Sequence, residues 1–525
     1  MLKAHGAPSF QNLKLRICLV GLVGLSPMVF AWVTGNVWED FFITFRCSLN
    51  LANGNGLVYE AGRTLHVFTS PLGVLLPAGI AWSIDSSDPV TVLWGFRILS
   101  AFALMVGWWY TSQSIKDTPP LAVAAVLWIL DPKLAAYATN GMETAFVVLF
   151  VMLAWHALLE NKFNLAGIAL AGTLWARPDG FIFFGVIAIA TVLVPQGPRP
   201  RWQDWLRVAV VGALIYTPWF VWAWTYYGSP IPNTILAKSG STTLVDRPWE
   251  AVRYPFDLLF GFTANHEVFL PPYYYFGAWS KHLQTFGKVI TIIAVIPAFW
   301  PRCHRFARVA SIAFLLGGIY LELTTRAPWY YPAWAVLGYL AIAGLFVAGW
   351  EKLQFSVGRR LLSAGASLLI IIQATMLICV GRQLQEQQRI IEWGLRAQIG
   401  YDLKAMARSP LDTVFLEPLG YIGYFSELSM RDTPGLSSPE VIALRQEGIY
   451  AMPEIIHHLK PDWVVMRFAE YLRFDDEQRG RLDATFVFRK AYNATDEIAA
   501  VNWLPGRGFL NFDARFGIWQ RVSDN

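Results

Sequence analysis

The chain has 525 residues, 55% of them hydrophobic and 15% charged, with a mean hydropathy of +0.39 and a formal net charge of +5. Its many apolar runs are long enough to cross a bilayer, which excludes a soluble globular enzyme and describes an α-helical polytopic membrane protein. The 42 Lys and Arg are scattered over short loops rather than gathered in one patch, which excludes a nucleic-acid footprint and leaves them to report orientation.

The first apolar run, about Ile17 to Thr34, follows Lys3, Lys14 and Arg16. Pro27 and the lack of a small-residue cleavage site favour a retained span over a cleaved signal peptide. The basic residues then place the N-terminus in the cytoplasm and the next segment, 35–90, outside. That exterior loop opens with adjacent acids, Glu39 and Asp40, followed by Arg46 and, past the Gly54-Asn55-Gly56 turn, by Arg63 and His66. In helical register, Glu39, Ile43, Arg46, Asn50 and Asn53 share one face and Phe41, Phe42, Phe45, Leu49 and Ala52 another. The pattern predicts an amphipathic helix suited to lying along a membrane surface.

Ser70 to Ile84 is short, contains Pro77 and ends in acidic Asp85-Ser-Ser-Asp88, so it reads as a re-entrant or interfacial segment. Spans then follow near 91–112, 120–138, 142–159, 164–177, 179–194, 207–226, 286–300, 308–323, 329–349 and 361–380, about eleven with the first. This map puts Lys116, Lys162, Arg199, Arg201, Arg207, Arg302, Arg305, Lys352, Arg359 and Arg360 in cytoplasmic loops, as the positive-inside rule requires. Counting Ser70 to Ile84 as a full span would put most of them outside. The Pro195–Pro200 run is a cytoplasmic turn. The exterior then receives the turns Asn140–Glu143 and Arg177–Gly180, the long loop from Tyr227 to Phe286, and everything after about Gly381.

The expected organisation is a transmembrane domain, 1–383, and an extracytoplasmic soluble α/β domain, 384–525. Strand-like runs in the tail fall at Thr413–Glu417, Trp463–Arg467, Thr485–Arg489 and Gly517–Val522, with helical stretches at Pro439–Glu447 and Asp475–Leu482. The 4 Cys offer no obvious pair to oxidise, so no disulfide framework is expected.

Acids at a helix start have a bland explanation, since they are favoured by the helix dipole and cap free amides. Glu143 and the Arg177/Asp179 pair, however, begin apolar spans on the same exterior face, where charge is costly and usually functional. Together they point to a catalytic or substrate-binding role. His66 stands alone, with no second ligand at metal spacing, so no protein-only metal site is expected. Arg326, with Trp329, Tyr330 and Tyr331 after it, is either an interfacial anchor or an anion-binding group, and Lys238 has the same standing. No nucleotide-type Gly loop and no GxSxG elbow occur, which argues against cytoplasmic nucleotide-sugar or ATP chemistry.

The stretch WEDFFITFRCSLNLANGNGLVYEAG…FTSPL resembles the signature of bacterial GT-C glycosyltransferases, in which an acidic pair and an arginine precede a TSPLW-like segment. NGMETA, ARPDG, YYGSPIPNTILAK, RAPWYYPAW and LEPLGYIGYFS with a following Gly-Leu resemble later blocks of that group, up to about Leu436. Bacterial terminal arabinofuranosyltransferase-like proteins are the relatives it suggests. The resemblance implies a polyprenyl-phosphate sugar as donor, used on the outer face of the bacterial inner membrane, with a carboxylate of the first exterior loop as base. Glu39 falls on the first acid, where the pattern has Asp, and Asp40 on the second; Arg46 falls on its arginine, and Cys47 replaces the usual Tyr.

Transfer requires a base for the acceptor hydroxyl and positive charge for the departing phosphate. Asp40 is the expected base, with Glu39 or Glu143 positioning it or the acceptor. Arg46, Lys238 and Arg326 are candidates for the phosphate. His66, Arg177, Asp179, Asn233 and Tyr330 complete the expected donor and acceptor contacts. The acceptor would be a cell-envelope glycan, lipid or protein, and the sequence leaves open a divalent cation, the sugar (arabinofuranose among the options) and the stereochemistry. The rival reading is a lipid or solute transporter or flippase with an extracytoplasmic substrate-binding tail; the two related halves common in transporters are not detectable here.

Overall fold

The computed structural model describes residues 10–195, 199–239, 248–323, 326–353 and 356–522. Lys3 and the middle of the Pro195–Pro200 turn lie outside them. Among the described residues, six helices are long and apolar enough to cross a membrane: Leu13–Thr34, Pro89–Ser114, Trp202–Tyr227, His282–Phe299, Pro328–Lys352 and the 51-residue run Ser356–Met406. Shorter apolar helices, Pro71–Ile84, Thr118–Ile129, Thr144–Leu159, Phe163–Ala176 and Gly180–Leu193, pack among them. Length and apolarity alone therefore do not reach the eleven spans of the charge map. The chain is nonetheless a multi-pass membrane protein.

Thr144–Leu159 is buried along almost its whole surface, as is Tyr331–Lys352, and these two helices form the centre of the bundle. Small residues set the helix spacing: a Cβ on Gly107 would stand 3.2 Å from the Leu149 backbone. With lipid as apolar as the side chains, such close backbone approach is what holds membrane helices together.

Two features depart from the sequence map. The run 120–138 is not one span but Thr118–Ile129 and Pro132–Tyr137, broken where Asp131 caps the second helix by accepting the Leu134 N–H and Pro132 takes the first helical position. The helix that carries the last expected span does not end near 380. Ser356–Gln387 runs without interruption through a widened π turn, Gln388–Arg396, into Ala397–Met406, so the boundary expected at 383/384 falls inside a continuous helix.

The tail carries a mixed five-stranded sheet of β1 (Thr413–Leu416), β2 (Ser429–Asp432), β3 (Trp463–Arg467), β4 (Phe486–Asn493) and β5 (Arg515–Arg521), in the order β2-β1-β3-β5-β4. β1 pairs in parallel with β2 and β3, while β5 runs antiparallel to β3 and β4. β3 is buried at every position, as a central strand should be. β2 has no strand-like signal because Asp432 is one of its inward residues, buried and accepting the N–H groups of Leu436 and Ser437.

The helix predicted from Glu39 is present as Glu39–Ala52, but its apolar face is buried within the protein. Phe41, Phe42 and Phe45 are almost completely buried, and their face packs beneath the tail. The Phe42 ring lies 4.3 Å from Tyr421 and 5.1 Å from Tyr424, both on the tail helix Gly420–Ser426. An amphipathic face needs an apolar cover, and here the protein supplies it rather than lipid.

Candidate active site

Asp40, in the first turn of the Glu39–Ala52 helix, lies on the wall of two cavities. One, of about 350 Å³, is lined by Glu143, Arg177, Asp179, Lys238, Tyr320 and Tyr330. The other, of about 440 Å³, is lined by Glu39, Lys133, Glu267, Arg326, Arg396, Glu417, Arg467 and Asp513, together with an aromatic wall that includes Trp38, Tyr273, Tyr275, Phe276, Trp329 and Phe512. Besides Asp40, the two share Ile43, Trp329 and Leu436. Burial raises the Asp40 carboxyl above its ordinary value of 3.8, with the positive field of Lys238 the largest opposing influence and that of Arg177 a smaller one.

In the smaller cavity, charge is held by neighbouring helix ends. Arg177, at the end of Phe163–Ala176, reaches Glu143 at 3.0 Å and Asp179 at 2.9 Å, and its guanidinium covers the Tyr330 ring at 4.1 Å. Tyr320 donates to Asp179 at 2.7 Å. Lys238 is exposed at the rim, on the short helix Asn233–Ser239. Sequence reasoning singles out Glu143, Arg177, Asp179, Lys238 and Tyr330, and the structure brings them to one chamber with Asp40.

The larger cavity is mostly built from residues with little signal in the sequence. Lys133 is buried and donates to the carbonyls of Glu267 and Val268 from the broken span. Glu267 accepts from Tyr331 at 2.7 Å and pairs with Arg326 at 2.9 Å, and Arg326 also binds Glu322. Arg326 thus has two carboxylates committed to it. Lys133 gives no signal beyond being a charge inside an apolar run, and Glu267 none at all within a long loop.

Glu39 does not face the larger chamber as a free acid. Its Oε2 lies 2.5 Å from Arg396 and its Oε1 accepts the Gly420 N–H at 3.1 Å, so both oxygens are engaged by tail segments. Burial raises its pKa, and Arg396 opposes the shift. Arg396 also binds Glu392 at 2.9 Å and Asp513; Asp513 in turn binds Arg467, which pairs with Glu417 at 2.6 Å and Glu470 at 3.0 Å. The widened turn Gln388–Arg396 places Glu392 and Arg396 there, a common use of such turns.

Two expected site residues bind the tail, and a third packs among aromatic rings. Arg46 donates to the carbonyls of Gly423 (2.8 Å), Glu427 (3.2 Å) and Leu428 (3.1 Å), closing the end of the Gly420–Ser426 helix, and lines neither chamber. Asn233 donates to the carbonyls of Gly435 and Leu436, each at 2.8 Å, and its own N–H reaches the His66 carbonyl. His66 is buried in an aromatic slot, stacked on Tyr227 at 4.3 Å, and burial lowers its pKa to about 4. Its ring is neutral at neutral pH and does not line a chamber. Among the described residues, no group of three or more His, Cys, Asp and Glu is arranged to hold a metal ion.

A family model described as a domain of unknown function (DUF8728) matches residues 382–512. A terminal beta-(1->2)-arabinofuranosyltransferase of Corynebacterium glutamicum is 24% identical over 262 residues, 44% of this chain and 38% of that protein. Its namesake in Mycobacterium tuberculosis is 22% identical over 236 residues, 40% of this chain and 36% of that protein. The match thus spans under two fifths of the length of these curated relatives. The structure of ArnT from Cupriavidus metallidurans bound to undecaprenyl phosphate superimposes with a TM-score of 0.54 at 11% identity, covering 97% of this chain and 98% of that one. The chain is therefore a multi-pass membrane protein with the fold of the GT-C glycosyltransferases, similar in sequence to terminal arabinofuranosyltransferases over less than half its length.

Proposed function

We propose that the chain is a glycosyltransferase that moves a sugar from a polyprenyl-phosphate donor to a cell-envelope glycan, lipid or protein on the outer face of the bacterial inner membrane, with Asp40 as general base. The observation that carries this reading is the place of Asp40 on a wall common to two cavities, which gives one carboxylate access to two substrates. The acceptor hydroxyl passes its proton to Asp40 while its oxygen attacks the anomeric carbon; the bond from that carbon to the phosphate oxygen breaks, and polyprenyl phosphate departs with the added charge. Lys238 and Arg177, which line the chamber holding Glu143, bring positive charge to that side of Asp40. Arg46 takes no part, and Arg326 is neutralised by Glu267 and Glu322.

The sequence match favours arabinofuranose as the sugar, and the undecaprenyl phosphate bound to ArnT favours a donor of that class. The basic loops favour the outer face as the site of reaction. A single displacement at the anomeric carbon, with Asp40 as base, inverts that centre. EDTA treatment of active membranes reads the contribution of any divalent cation.

The test is transfer by membranes holding matched amounts of wild type or Asp40→Asn, supplied with a panel of polyprenyl-phosphate sugars including the arabinose form. A product that depends on the donor and is lost in the variant supports the reading and names the sugar. A wild type that transfers nothing from any donor while lipid or solute crosses the membrane would replace it with the transporter reading.

A further inference from the structure

Among the described residues, Asp513 is the one carboxylate that touches both buried guanidiniums of the larger chamber, those of Arg396 and Arg467. It has no exposed side-chain surface, Arg396 and Arg467 are each 4% exposed, and one of its oxygens faces each of them. The Arg396 guanidinium uses its other arm on Glu39, at 2.5 Å, and on Glu392, at 2.9 Å. Glu39 begins the helix whose next residue is Asp40. A fork-shaped cation held at both arms fixes the direction of each, whereas one held at a single arm turns about its stem. Without Asp513, Arg396 and Arg467 would face one another as like charges in a site shielded from water.

We propose that Asp513 is a positioning residue of the transfer reaction: by holding Arg396 it fixes Glu39, and so sets the first turn of the helix on which Asp40 stands. The proposal rests on the glycosyltransferase reading above. It makes the tail part of the active site, contributed from 473 residues further along the chain than Asp40. Glu39 then acts through its neighbour, which is why both its oxygens are spent on the tail, at Arg396 and at the Gly420 N–H.

The experiment compares the full-length chain with Asp513→Asn, Asp513→Glu and a surface control, Asp476→Asn, whose carboxylate is 98% exposed on its own helix. Amide hydrogen exchange over residues 41–46 reads the helix start, and donor-dependent transfer gives kcat and KM. Asp513→Asn is expected to exchange faster in that segment and to lose about 10- to 100-fold in kcat with KM for the donor little changed, since misplacement of a catalytic group acts on the transition state. Asp513→Glu recovers part of both, and Asp476→Asn changes neither. Exchange equal to wild type in Asp513→Asn overturns the proposal, as does faster exchange with an unchanged kcat. A wild type inert toward every donor overturns it together with the enzymatic reading, and is distinguished by the failure of the wild type itself. If Asp513→Asn does not accumulate, Arg396→Lys, which keeps the charge and loses the fork, takes its place: faster exchange with reduced kcat supports the proposal, and wild-type exchange or an unchanged kcat overturns it.

Discussion

The chamber lined by Glu143, Arg177 and Lys238 and the chamber lined by Glu267, Arg326 and Arg467 meet at Asp40, yet they are assembled in different ways. In the first, Arg177 pairs with Asp179 two residues away and with Glu143 34 residues away, all at the ends of helices that pack side by side. In the second, Arg396 pairs with Asp513 across 117 residues, and the chain has to fold back over the membrane helices before the wall exists. The first chamber takes all its lining but Leu436 from the helix bundle and its loops; the second needs the tail. A lesion in the bundle should therefore damage chemistry and folding together, and a lesion in the tail contacts should separate them.

The sharpest test of this contrast is the shared residue. Asp40→Asn should reduce transfer by about 10²- to 10⁴-fold, the usual range for loss of a general base. Glu39→Gln should lose less, because its carboxylate is committed to Arg396 and the Gly420 N–H; equal losses in matched membranes would make the two acids one functional unit.

Arg177→Met strands Glu143 and Asp179 in a buried site, at a cost of about 3–5 kcal/mol. Thermal denaturation in detergent should show it, with loss of activity in parallel. A melting point like that of wild type would mean that this chamber is not held together by its ion pairs.

Lys238→Gln should reduce kcat/KM by about tenfold, through weaker stabilisation of the leaving phosphate. It also has a signature in pH. Asp40 acts as its carboxylate, so activity rises with pH through its pKa, which burial places above 3.8 while Lys238 holds it down. Removing Lys238 moves that acid limb to higher pH, and a limb that stays in place would separate Lys238 from Asp40.

On the tail side, Arg46→Met should destabilise the docked tail by about 1–2 kcal/mol through lost hydrogen bonds to three carbonyls, with kcat nearly unchanged. A large loss of kcat at normal stability would restore Arg46 to the substrate. His66→Phe should change activity least. Its effect is on acid stability: the folded-state pKa near 4 lies below the ordinary 6.5, so the unfolded chain binds the proton more readily. The stability present above pH 6.5 declines as pH falls toward 4 in wild type, and denaturant melts should show that decline reduced in the variant.

Much of this is legible in the residues. The acids Glu39 and Asp40, the turns at Glu143 and at Arg177-Asp179, and Lys238 stand out because a charge beside an apolar span is costly enough to demand a purpose. Four of the tail's strands show as short apolar runs, whereas β2 turns the polar Asp432 inward and leaves no such trace. Lys133 and Glu267 escape notice because their partners are distant in sequence: Lys133 donates to carbonyls 134 and 135 residues away, and Glu267 pairs with Arg326, 59 residues on.

The sequence by itself determined that the chain spans a membrane many times, where charge gathers on the side of the Trp38 loop, and that an α/β tail follows, since hydropathy and local charge are written residue by residue. Only the tertiary structure decided that the phenylalanine face of the Glu39–Ala52 helix is covered by the tail rather than by lipid, that Arg46, Asn233 and His66 serve packing, and that Glu39 and Asp40 face different partners. The reason is physical: a helix periodicity states which residues share a face, but what covers that face depends on segments hundreds of residues away, and their approach has no local signature.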